Sequence, residues 1–163
     1  MQKYIGTKIV EAVKDRKPFV DKFTGAFGVE DGYQVTYKDG DKSWSPKTVF
    51  EEAHLPVIEN PNLCTDMPSI SQQMVDDFIA QVYVQTMGDK TTVVRAVLRN
   101  GFEIVESSAC VSKENYDEKL GAEICMKKIK DKVWMLLGFL LQTAVYGINA
   151  VERQDELCFV GDV

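Results

Sequence analysis

Hydrophobic and polar positions change rhythm several times along the chain, and each change predicts an element. Tyr4–Ala12 (YIGTKIVEA) has strand character, and the polar stretch 13–31, with Pro18, Gly25 and Gly28, reads as a loop. In GYQVTY, Tyr33, Val35 and Tyr37 fall on one face and Gln34 and Thr36 on the other, the period of a half-buried strand. Lys38-Asp39-Gly40-Asp41 predicts a turn, because Asp-Gly supplies the positive φ that hairpins need, and KSW returns as a short strand. Ser45 as N-cap and Pro46 at the first helical position open a helix through TVFEEAHL, which Pro56 stops. Residues 1–55 therefore predict a small β-hairpin and helix module.

Residues 56–68 (PVIENPNLCTDMP) carry three prolines without periodicity and form a connector. A core region, 69–151, follows. Ser69 with Gln72 makes a capping box for a helix over 70–80, where Ile70, Met74 and Phe78 recur at spacing four. TTVVRAVL (91–98) and FEIVESSAC (102–110) flank Asn100-Gly101, a strong hairpin signal. Val94, Ala96 and Leu98 alternate with Val93, Arg95 and Val97, so Arg95 stands mid-strand among apolar neighbours. Asn115 with Glu118 caps a long helix whose stripe runs Cys125, Ile129, Val133, Leu136, Leu140 and Ala144. Its second half, Val133–Val145, is apolar almost all round and so must be covered on every side. A hairpin and a short helix cover only part of it, which predicts a second copy across a two-fold axis. The fold class is α+β: a small N-terminal β-hairpin/helix module, then an antiparallel hairpin sheet packed on a long C-terminal helical region that dimerises. Residues 152–163 read as an acidic tail.

Composition narrows the chemistry. At 45% apolar and 27% charged, the 163 residues are ordinary for a folded protein, and a net charge of −6 lacks the basic footprint of a passive duplex binder. No DNA partner is expected. The apolar run 133–145 is shorter than the ~20 residues that span a bilayer, and no signal segment precedes the module, so neither membrane nor export is expected. Cys64, Cys110, Cys125 and Cys158 form no C-x-x-C pair, which fits reduced, mostly buried thiols in a cytoplasm.

One histidine, His54, rules out a multi-histidine metal site within one chain, and its place at a helix end points to a dipole contact rather than catalysis. Cys110 and Cys125 sit on apolar stripes as core thiols. The pairs Glu51-Glu52 and Asp76-Asp77 point to different helix faces, and no glycine-rich phosphate loop or Ser-His-Asp set stands out. No catalytic group, metal or cofactor is expected. What remains is a binding constellation. Arg95 and Arg99 lie on or beside the hairpin with Asn100 at its tip, and Lys127, Lys128 and Lys132 lie on the helix expected to pack against it. Glu106, Ser107 and Ser108 add acceptors and hydroxyls, and Tyr83 and Trp134 add aromatic faces at the sheet–helix margin. Guanidinium groups bind phosphates bidentately and aromatic rings stack on bases, so this set suits a small nucleotide. The alternative is that these are solvated hairpin and helix residues.

RNGFEIVESSACVSKENYDEKLG followed by KVWMLLGFLL resembles a family of short tailed-phage and prophage proteins with the pattern N-G-F, E-S-A-C, E-N-F/Y-D, then a tryptophan ahead of L-x-G-Y/F-L-L. The resemblance spans about 91–141, through Asn100, Gly101, Phe102, Glu106, Cys110, Asn115, Asp117, Gly121, Trp134 and Gly138. The N-terminal stretch resembles another phage-encoded module. The combination is similar to the anti-Thoeris phage proteins of the first described type. That resemblance implies a sponge that binds cyclic ADP-ribose isomers, and in some members cyclic oligonucleotides, without degrading them, in pockets at a homodimer interface that can build hexamers. Ala122 departs from the family, which usually has arginine there. Two other readings stay open: an accessory protein that binds a host protein through its C-terminal helix, and a nucleotide-cleaving enzyme with Glu106 or Asp117 as base.

Overall fold

The computed structural model describes residues 1–64 and 67–150. The chain divides into two compact units, one built from Met1–Pro56 together with 143–150, the other from Val57–Gln142.

In the first unit, β1 (Glu11–Val20), β2 (Phe27–Thr36) and β3 (Lys42–Pro46) form an antiparallel sheet in that order, followed by α1 (Lys47–Ala53). The module has three strands, as Tyr4–Ala12, GYQVTY and KSW predict in number, joined into one sheet. Its first strand lies further along than Tyr4–Ala12, and most of the expected 13–31 loop is the β1–β2 hairpin. Solvent reaches both faces of β1, so its sequence carries no apolar alternation to betray it. Ser45 stays in β3 and Pro46 takes the N-cap position, with no side-chain cap. His54 is the C-cap of α1: its Nδ1 lies 3.0 Å from the Phe50 carbonyl, and its ring stacks on Phe50, which stacks in turn on Tyr33. Trp44 lies across Gly32, where any Cβ would collide with the Ser45 carbonyl and the indole. The Trp44 Nε1 is buried without a hydrogen-bond partner among the described residues.

The second unit holds most of the core. α2 (Gln72–Phe78) leads directly into β4 (Ile79–Met87), and β5 (Thr91–Leu98) and β6 (Glu103–Ala109) complete an antiparallel sheet in the order β4-β5-β6. A 3₁₀ turn (Lys113–Asn115) precedes α3 (Glu118–Tyr146), 29 residues long. The α+β class stands: two three-stranded antiparallel sheets and one long C-terminal helix. Two caps of this unit differ from expectation. Ser71, not Ser69, caps α2 by accepting from the Met74 N–H at 3.4 Å. Asp117 accepts from the Leu120 N–H at 3.0 Å at the start of α3, while Asn115 belongs to the 3₁₀ turn. The expected helix over 70–80 stops at Phe78, and the strand after it has no counterpart in the sequence reading.

Strand alternation sorts the sheet into two faces. Thr92, Val94, Ala96 and Leu98 of β5 and Ile104 of β6 are buried, together with Gly121, Cys125, Ile129, Val133 and Leu137 of α3. The helix therefore packs on that face with a strict four-residue stripe. Beyond Val133 the stripe continues at Leu137; Leu136 and Ala144 are half-buried and Leu140 is exposed. Gly121 lets α3 settle against β5, since a Cβ there would stand 2.7 Å from the Thr92 Cβ. The Tyr116 hydroxyl meets Thr86 Oγ1 at 2.7 Å and Thr92 Oγ1 at 3.0 Å, and Thr86 also donates to Glu118, so hydroxyls pin the start of α3 to the sheet. Cys125 is buried and Cys110 half-buried, but Cys64 is exposed, contrary to a mostly buried set, because it falls in the polar connector. Cys158 and the acidic tail lie outside the described residues.

Candidate nucleotide-binding face

The hairpin register decides which candidate residues meet. Arg95 pairs with Val105 on β6 and with Tyr83 on β4, and Val97 pairs with Glu103. Tyr83, Arg95 and Glu103 therefore share the face away from α3. There the Arg95 guanidinium sits 4.9 Å above the Tyr83 ring and makes a two-pronged ion pair with Glu103, Nε to Oε2 and Nη2 to Oε1, both 2.9 Å. This accounts for an arginine in an apolar strand: its stem lies on the sheet, its plane on an aromatic ring, and its charge on a carboxylate. The Tyr83 hydroxyl donates to Gln81 Oε1 at 2.7 Å. Tyr83, Val84, Gln85, Val93 and Arg95 line a shallow depression of about 390 Å³.

The remaining candidates lie elsewhere. Glu106 is on the helix-bearing face, ion-paired with Lys132 and 4.0 Å from the Lys128 Nζ. Lys128 also donates to the Ser107 carbonyl at 3.2 Å. Lys132 beside it holds the Glu106 carboxyl below the usual carboxylate range, against a smaller upward push from burial. On the other flank of the helix Lys130 pairs with Asp76 at 2.8 Å and lowers that carboxyl in the same way. Burial raises the Cys125 thiol, and its Sγ faces the Thr92 carbonyl at 3.9 Å, as suits a core thiol. Ser108 is half-buried on the helix-bearing face and the Ser107 side chain exposed on the other. Arg99 and Asn100 lie exposed in the turn, where Asn100 Oδ1 accepts from the Phe102 N–H at 3.1 Å. Trp134 is half-buried on α3, and Lys127 is exposed.

The eleven candidate residues are thus spread over opposite faces of one sheet, its turn and the helix rather than gathered around one pocket. Strand alternation forces the split: neighbours such as Glu106 and Ser107 point opposite ways. Tyr83 and Arg95 come together, and Lys128, Lys132 and Glu106 form a separate cluster. Glu103 is the site residue that sequence reasoning missed. Its signal was present, because the Asn100-Gly101 turn fixes the register and puts Glu103 diagonal to Arg95. The two proposed bases have structural partners: Glu106 holds two lysines and Asp117 caps α3. Among the described residues there is no cluster of metal-ligating side chains, and no helix is long and apolar enough to cross a membrane.

The sheet, the helix on it and the Tyr83–Arg95 face all fall inside one recognisable segment. Residues 70–145 match the phage protein (N4 Gp49/phage Sf6 gene 66) family. The match starts at Ile70, ahead of α2, and takes in β4 and nearly all of α3, so it covers more than the NGF…LLGFLL stretch of the sequence pattern. No curated protein and no solved structure matches the chain.

Proposed function

We propose that this is a phage anti-defence protein that sequesters a cyclic nucleotide signal, a cyclic ADP-ribose isomer or a cyclic oligonucleotide, on the open face of β4–β6. The observation that carries the reading is the Arg95 guanidinium held over the Tyr83 ring at the border of the depression. Tyr83 offers a stacking surface for a base and Arg95 a planar donor for a phosphate. Glu103 engages two of the five guanidinium N–H donors and keeps the plane oriented until a phosphate shares or displaces it. The match of 70–145 to a phage protein family supports the phage setting, and the resemblance to anti-Thoeris sponges supplies the ligand class.

Magnitudes limit what one copy can do. A nanomolar sponge needs about −12 kcal/mol. One stacked base at ~1–3 kcal/mol and charge-assisted bonds at ~1.5–3 kcal/mol each fall short on a face that is half solvent-exposed. The reading therefore requires a second wall around the ligand, supplied by another copy of the chain.

Calorimetry with cyclic ADP-ribose isomers and cyclic di- and trinucleotides tests this. Binding is expected for at least one, with Arg95→Ala and Tyr83→Ala each weakening it about ten- to a hundredfold. Silence across the panel overturns the proposal. Ligand released by heating is expected to have an unchanged mass, and an altered mass would support the cleavage reading instead. A second reading, capture of a host protein through α3, is favoured by the exposure of Met135 and Phe139, 66% and 74%. It predicts that Met135→Lys and Phe139→Lys abolish the phage advantage while nucleotide binding stays absent throughout.

A further inference from the structure

The two edges of the β4-β5-β6 sheet differ in how they are guarded. Along β6, Glu103 and Glu106 carry charge, and Lys128 donates to the Ser107 carbonyl. β4 carries no such charges, and its one irregularity, a register shift against β5 between Ile79 and Gln81, is confined to the start of the strand. From Ile79 to Met87 it contains neither a charged residue nor a proline, and residues 80–85 are all exposed. Among the described residues no strand pairs with its outer side. A long, uncharged edge is a template for another strand unless something covers it.

The sequence of β4 says which strand. Gln81-Val82-Tyr83-Val84-Gln85 reads the same in both directions, and its midpoint, Tyr83, is the middle residue of the nine-residue strand. The symmetry is carried by this five-residue centre, because the register shift between Ile79 and Gln81 takes the start of β4 out of the regular alternation. An antiparallel strand paired with its own copy must obey this symmetry, because a two-fold axis sets residue i against j and j against i. Centred on Tyr83, the pairing sets Gln81 against the partner's Gln85 and Val82 against the partner's Val84. No like charges meet, although the chain as a whole carries −6.

Exposure within the sheet points to the same edge. Val82 and Val84 lie on the helix-bearing face beside Ala96 and Val94, both 0% exposed, yet are themselves 42% and 45% exposed. Paired across the axis, the four valines of two copies close over one another. We propose that β4 is the self-association edge of this protein and that two copies form one continuous six-stranded sheet, β6-β5-β4-β4-β5-β6. A two-fold axis perpendicular to a sheet keeps like faces on the same side. The two Tyr83 rings then flank the axis on the open face, with an Arg95 beyond each. The partner's Gln81 borders the depression that Gln85 lines.

This pairing does not rest on the ligand reading, and its test is separate. The full-length chain is weighed by native mass spectrometry and light scattering across a concentration series, without nucleotide. A dimer is expected. Val84→Lys sets two lysines close to the axis and is expected to weaken the dimer at least tenfold, while Phe139→Lys leaves it intact. Tyr83→Cys places two thiols on the axis and is expected to cross-link under mild oxidation, whereas Val105→Cys on β6 is not. A monomeric wild type, a Val84→Lys dimer of undiminished strength, or a dimer lost only with Phe139→Lys overturns the proposal. If Val84→Lys fails to fold by circular dichroism, the Tyr83→Cys cross-link decides: its formation supports the edge and its absence removes it.

Discussion

A single methyl group tests how closely α3 lies on its sheet. With Gly121 above Thr92, Gly121→Ala must move the helix or the strand, and a loss of about 1–3 kcal/mol is expected in urea unfolding despite the better helix propensity of alanine. Nothing in the sequence marks that glycine as a contact point, since mid-helix glycines also occur for no packing reason. The lysines on Glu106 give a pH signature. Its carboxyl is depressed in the folded protein, so its contribution is present at neutral pH and fades as the pH falls below the ordinary value of 4.5. Lys132→Met should raise that carboxyl and flatten the acid limb of the melting-temperature profile, with little change in its shape above pH 6. A carboxylate-selective NMR titration would show the shift directly. Arg95 was legible as an anomaly in an apolar strand, but its carboxylate partner needed the register, a property of two strands together.

At the scale of elements, the sequence was clearest where a turn and an alternation agreed. β5 and β6 fall within a residue of their expected bounds because Gly101, at φ +82°, closes the turn with its N–H on the Leu98 carbonyl at 2.8 Å. Gly101→Ala forces a side chain into that left-handed conformation and should cost about 1 kcal/mol in denaturant unfolding. β4 was hidden for a different reason. The i, i+4 spacing of Ile70, Met74 and Phe78 runs straight into Ile79 without a breaker, and Val82-Tyr83-Val84 is apolar on both faces, so no period of two stands out. β1 was hidden by the opposite cause, a strand so solvated that it reads as a polar loop. Its Pro18 is tolerated because β1 lies at the edge of its sheet.

Over the whole molecule, buried apolar side chains are shared out unevenly. Among the described residues Val35 is the buried apolar side chain of the first unit, whereas Ile70, Val75, Val94, Leu98, Ile129 and Leu137 are among those of the second. Burial is the main source of resistance to opening, so amide hydrogen exchange should be slowest in β5 and along Cys125–Leu137. The β1–β2 hairpin should exchange several orders of magnitude faster. Comparable protection in the two sheets would contradict this ranking. Composition predicted a folded protein and patterning predicted its class, but neither told how the core is divided, because that depends on which strands the helix reaches. The two tryptophans happen to follow the same partition, Trp44 in one unit and Trp134 in the other. Each indole is therefore a built-in fluorophore for its own unit. Trp44→Phe and Trp134→Phe should resolve heat-induced emission changes into two separate curves, with the Trp44 signal moving at the lower temperature.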